Sequence, residues 1–109
     1  MNAEQKEIGV EVYQSRRFAK TLDKLPEQLQ EIVEDEIDTI IANPEIGEQK
    51  KGDLSFLRVH KFQLNNRVTL LGYSWIEDKV ELYLLNIGPH ENFYQNQKDH
   101  RKVDLKLIG

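Results

Sequence analysis

The chain has 109 residues, 39% hydrophobic and 31% charged, with a formal charge of -4. That is enough for one domain spanning 1–109 with its own core, and too little for two. Cysteine is absent, so disulfide frameworks, thiolate zinc sites and thiol catalysis are excluded and a reducing cytoplasm is the expected compartment.

No stretch approaches the roughly 20 apolar residues that span a membrane. The opening MNAEQKEIGV lacks the apolar run of a secretory signal. The charge is unevenly spread. Residues 1–25 hold five Lys/Arg against four acids, 26–48 hold eight acids and no base, and 49–109 hold ten bases against seven acids. Free nucleic-acid binders are usually basic overall, so any contact with nucleic acid is expected in the second half or with help from a partner.

Ile8, Val10 and Val12 alternate with Gly9, Glu11 and Tyr13, the pattern of a strand with one face in the core. Ser15 suits the N-cap of a short helix in which Phe18, Leu22 and Leu25 share a face. Pro26 suits the first turn of a second helix. There Leu29, Ile32, Val33, Ile37, Ile40 and Ile41 fall on one side, while Glu27, Glu31, Glu34, Asp35 and Asp38 fall opposite. Glu36 projects into the apolar arc and is expected to meet a basic partner or the edge of the core, because an unpaired buried carboxylate is costly. Asn43-Pro44 ends this helix.

A loop over residues 44–53 carries Lys50, Lys51 and Gly52. Three strand-like runs follow: Leu54 to Leu64, Arg67 to Trp75 and Lys79 to Ile87. Asn65-Asn66 and Glu77-Asp78 separate them, which predicts an antiparallel meander. After Gly88-Pro89, residues His90 to Arg101 read as a short helix anchored by Phe93 and Tyr94. Val103, Leu105 and Leu107 alternate again, so the tail at 103–109 reads as a docking strand or as a segment ordered by a partner. The predicted class is α+β: a strand, two helices, a three-stranded antiparallel meander and a short C-terminal helix, with the helices packed on one face of the sheet.

Along the second strand Leu57 and Val59 point one way and Arg58 and His60 the other. Arg67 opens the next strand across a tight turn, and His90 and Tyr94 lie one helical turn apart. A closed meander would gather Arg58, His60, Arg67, His90 and Tyr94 at one end of the uncovered face, with Lys61 pointing inward or to the rim. These types suit phosphodiester chemistry on RNA. A ribonuclease without a metal needs a base for the 2′-hydroxyl, cations for the phosphorane charge and an acid for the departing 5′-oxygen. Imidazoles exchange protons near neutral pH, guanidinium groups hold phosphate oxygens, and a phenol stacks on a base or donates its hydroxyl. The same residues also have a packing explanation, with Arg58 and Arg67 as ordinary exposed strand residues, His60 against a neighbour and Tyr94 anchoring the last helix.

His60, His90 and His100 match no compact ligand spacing, so no metal is expected. The acid pairs of the second helix read as a solvated face rather than a glycosidase pair. No nucleotide-binding or hydrolase signature occurs, and no cofactor is expected. Tyr73 and Trp75 read as sheet packing.

The strand LRVHKF, the strand NNRVTLLGYSW and the segment LYLLNIGPHENFY, in this order, resemble the RelE/ParE superfamily of bacterial type II toxins over roughly residues 7–100. The resemblance implies a toxin that cleaves mRNA at the ribosome without a metal, leaving a 2′,3′-cyclic phosphate and a 5′-hydroxyl, and so inhibits translation. It implies His60, Arg67, His90 and Tyr94 as catalytic residues, with Arg58 beside them on the RNA; Lys61 is the further residue expected to bind RNA. It implies a cognate antitoxin as partner, alongside the ribosome and mRNA. The superfamily also has a branch directed at DNA gyrase that shares the fold without the full nuclease site, so gyrase inhibition is the alternative, and an inactive partner-binding member a third.

Overall fold

The computed structural model describes residues 9–109. β1 (Glu11–Gln14) leads into α1 (Arg16–Lys24) and α2 (Glu27–Ala42), followed by β2 (Glu48–Gln49), β3 (Arg58–Leu64), β4 (Arg67–Ile76) and β5 (Glu81–Pro89). Two more helices come last, α3 (His90–Asp99) and α4 (Arg101–Ile108). The α+β class and the expected order of elements hold. The alternation at Ile8 lies outside the described residues. Among the described residues, no helix is long and apolar enough to cross a membrane.

The strands form one sheet in the order β1-β5-β4-β3-β2. The β3–β4–β5 meander is antiparallel, whereas β1 joins β5 in parallel. Asn65 and Asn66 both have positive φ, 53° and 65°, as a two-residue hairpin turn requires, and asparagine tolerates this region better than most residues. β3 starts at Arg58, not Leu54, because Gly52–Leu54 forms a 3₁₀ turn that buries Leu54. Where β4 meets β5, the register shifts between Gly72 and Tyr73. The irregularity lets Leu84 and Ile87, three residues apart, enter the same core cluster.

Ser15 caps α1 as its sequence position predicts. Its hydroxyl oxygen accepts from the Phe18 N–H at 3.0 Å and its own proton goes to the Leu85 carbonyl at 2.7 Å. Such a cap contributes about 1 kcal/mol. Pro26 stands just before α2, one position short of the first turn. Phe18, Val33 and Ile40 from these helices pack with Phe62, Leu71, Tyr73, Leu82, Leu84 and Ile87 on one face of the sheet.

The other face has its own cluster, including Leu57, Val59, Leu70, Leu85 and Phe93. Gly72 admits α3 here, since a Cβ at that position would lie 2.8 Å from the Phe93 ring. The first two helices thus share one face, as expected, and the C-terminal pair covers part of the opposite one.

The tail is a helix, which corrects the strand that was one of its two expected forms. Val103, Leu105 and Leu107 alternate, but Asp104 between them is fully buried. Its carboxylate accepts two bonds from Arg17, at 2.7 and 2.9 Å, and one from Gln97 Nε2 at 2.7 Å. Arg17 Nε also donates to Asn96 Oδ1 at 2.9 Å. An inward carboxylate with an arginine waiting on α1 decides the conformation. Apolar alternation over so few residues does not.

Candidate functional site

Cross-strand neighbours project to the same side of a sheet. Arg58 lies opposite Tyr73, His60 opposite Leu71 and Leu64 opposite Arg67, and Tyr73, Leu71 and Leu64 all pack with α1 and α2. Arg58, His60 and Arg67 therefore stand on the side covered by those helices. Lys61, opposite Leu70, stands on the side of α3 and is exposed.

The Arg58 guanidinium is turned to the chain before β3. It donates to the carbonyls of Gly47 at 2.8 Å and Glu45 at 3.2 Å. The Tyr73 hydroxyl joins the same clamp, donating to the Pro44 carbonyl at 2.7 Å and accepting from the Gly47 N–H at 2.9 Å. Gly47 is required here because a Cβ would come within 2.8 Å of the Tyr73 ring. Burial is the first cause holding the Tyr73 phenol above its ordinary range.

His60 is engaged as well. Its Nε2 lies 2.7 Å from Glu36 Oε1, its ring stacks on Phe62 at 5.9 Å, and its side chain is 12% exposed. This is the basic partner that Glu36 was expected to have. The expected convergence of five groups is accordingly corrected: Arg58 is directed to loop carbonyls and His60 to α2, away from His90 and Tyr94. Strand alternation yields two sides, and the helix-facing one is the side that holds Arg58 and His60.

What the fold does bring together lies around the start of α3. His90, the first residue of that helix, is exposed and meets Tyr94 edge-on with ring centroids 5.7 Å apart. Tyr94 meets Phe93 edge-on in turn, at 5.2 Å. Arg67 and His90 line one open hollow together with Val68, Pro89 and Glu91.

Two residues that sequence reasoning left in a loop complete this face. Lys50 Nζ lies 5.4 Å from the Tyr94 ring centroid and donates to Glu48 Oε1 at 2.8 Å. The hydrogen bond to Glu48 is the main cause holding the Lys50 ammonium above the ordinary lysine range. The same bond, reinforced by the charges of Lys50, Lys61 and Lys51, holds the Glu48 carboxyl below its usual range. Glu48 and Lys50 are two apart, so a short strand puts both on one side, and that spacing was the available signal. Among the described residues no group of three or more His, Asp or Glu side chains is placed to hold a metal ion.

The chain matches a family model described as the ParE-like toxin of type II bacterial toxin-antitoxin systems, over residues 12–98. No curated protein matches it. Among solved structures it is similar to the E. coli toxin RelE in the intact RelBE toxin-antitoxin complex, with 20% identity and a TM-score of 0.61. That match covers 76% of this chain and 99% of the other. A double-mutant RelE in the free state matches with 18% identity and a TM-score of 0.65, covering 86% of this chain and 97% of that one. The mutant toxin in complex with an antitoxin RelB peptide matches with 19% identity and a TM-score of 0.58, covering 83% and 90%.

Proposed function

Because the chain belongs to the ParE-like toxin family of type II bacterial toxin-antitoxin systems, we propose that it is a toxin that cleaves mRNA at the ribosome and so inhibits translation. The observation that carries this is the meeting of His90 and Tyr94 on an open face, with Arg67 across the same hollow from His90. In this mechanism Arg67 holds the phosphate oxygens of the scissile link, and Lys61, on the α3 side of the sheet, binds the RNA backbone farther along the strand. The His90 imidazole exchanges a proton with the 2′-hydroxyl or the leaving 5′-oxygen, and Tyr94 stacks on a base or assists the leaving group. Arg58 and His60 act as supports: the first fixes the chain before β3, the second ties β3 to α2. The formal charge of -4 is accommodated if the ribosome supplies affinity and presents the substrate, in the cytoplasm.

The partner is a cognate antitoxin, a proposal supported by the likeness to RelE in complex with RelB. The docking role assigned to the tail falls to the outer side of α4, where Val103 and Leu107 are exposed and border one groove with Arg16 and Lys20.

Inhibition of DNA gyrase is the second reading. Its favouring observation is that Arg58 and His60 are held internally, which leaves fewer basic groups for RNA. Induction in cells without antitoxin, followed by primer extension on abundant mRNAs, tells the two apart. New 5′ ends within codons support cleavage. A DNA-damage response without such ends supports gyrase inhibition and rejects the nuclease.

A further inference from the structure

Lys50 has no part in the mechanism above, yet its ammonium lies against the Tyr94 ring and is bonded to Glu48. Its side chain is only 24% exposed, although lysine ammonium groups usually extend into water. Its carboxylate partner, Glu48, is 73% exposed and open to solvent. The chain that carries both is fixed from below by Arg58 and Tyr73 through the backbone of residues 44–47. The backbone leading to Lys50 is thus held by Arg58 and Tyr73, and the Lys50 N–H donates to the Leu57 carbonyl at 2.9 Å, whereas among the described residues the Glu48 carboxylate is bonded to Lys50.

We propose that Lys50 is a phosphate-binding residue for the RNA strand and that Glu48 is its resident counter-ion, displaced when a phosphodiester arrives. The proposal rests on the nuclease reading for the identity of the anion. Lys61 and Lys51 lie close enough to Glu48 to stabilise its charge, so a phosphate in its place meets the same cations. The Tyr94 ring lies against Lys50. Cations grouped beside an aromatic face are the combination that single-stranded nucleic acid takes, the cations for the backbone and the ring for a base. A partner's carboxylate would use the lysines and leave the ring idle.

The test is binding of a 2′-O-methyl RNA octamer, which cannot be cleaved through its 2′-oxygen, to the full chain over a salt series. Lys50→Met should weaken binding about tenfold and reduce the slope of log affinity against log salt by about 0.7, the share of one cation on a single strand. Lys50→Arg should keep both, which separates loss of charge from loss of fold. Glu48→Gln should tighten binding severalfold, because the competing anion is gone. Equal affinity and slope for Lys50→Met, or weaker binding for Glu48→Gln, overturns the proposal. So does an octamer that fails to bind while an acidic antitoxin peptide binds through Lys50. Octamer binding that depends on Lys50, in a protein that yields no new mRNA ends in cells, removes the nuclease reading and leaves the phosphate site standing.

Discussion

Arg17 of α1 grips Asp104 of α4 through two bonds, 2.7 and 2.9 Å long, between residues 87 apart in sequence. Asp104 is fully buried, and Gln97, also fully buried, donates to it. Removing one partner of such a pair leaves the other charge without compensation, at about 3–5 kcal/mol. Asp104→Leu should therefore lower stability by that amount in urea denaturation. Arg17→Met combined with Asp104→Leu should recover part of the loss, since both charges are then gone.

Arg67 and His90 share a hollow and, among the described residues, neither is in a salt bridge. The double variant Arg67→Ala, His90→Ala should abolish growth inhibition with an unchanged circular dichroism spectrum and melting temperature. A double variant that still arrests growth would remove both residues from the mechanism.

His60 should behave in the opposite way. Its contact with Glu36 joins β3 to α2, and a hydrogen bond to a charged group contributes about 1.5–3 kcal/mol. His60→Ala should lose stability on that scale and keep its toxicity at a temperature where it remains folded. Toxicity lost in a fully folded His60→Ala protein would return this residue to the chemistry.

Alkaline pH tests the β1–β5 edge. Burial, then the bond donated to Glu81 at 2.8 Å, pushes the Tyr83 phenol up to about 12. An unfolded tyrosine loses its proton near 10, so above that pH the unfolded chain binds fewer protons than the native one. This contribution to stability is complete below about pH 10 and is lost as the pH rises through about 12. Denaturation midpoints between pH 9 and 12 should fall, and Tyr83→Phe should remove part of the fall.

Local rules made much of the fold readable. The Ser15 cap, the amphipathic α2, the Asn65-Asn66 turn and the meander each depend on residues close in sequence, and Glu36 announced a partner by its position in an apolar arc. Two kinds of information were not local. Alternation along β3 sorted Arg58 and His60 from Leu57 and Val59, but which side the helices cover depends on packing between distant elements. Likewise the inward turn of Asp104 is set by Arg17, far back in the chain, so a short apolar alternation misled. Lys50 stands just past the two-residue β2, in what reads as a loop, so its spacing from Glu48 was the one local sign of a shared side.

The parallel pairing of β1 with β5 has a consequence for how the protein is made. The Ser15 hydroxyl proton must wait for the Leu85 carbonyl, 70 residues later, before it finds its acceptor, and the buried charge on α4 comes later still. During synthesis the first strand thus emerges with nothing to pair with. The growing polypeptide can complete its sheet and close the Arg17–Asp104 pair only after residues 81–104 have left the exit tunnel.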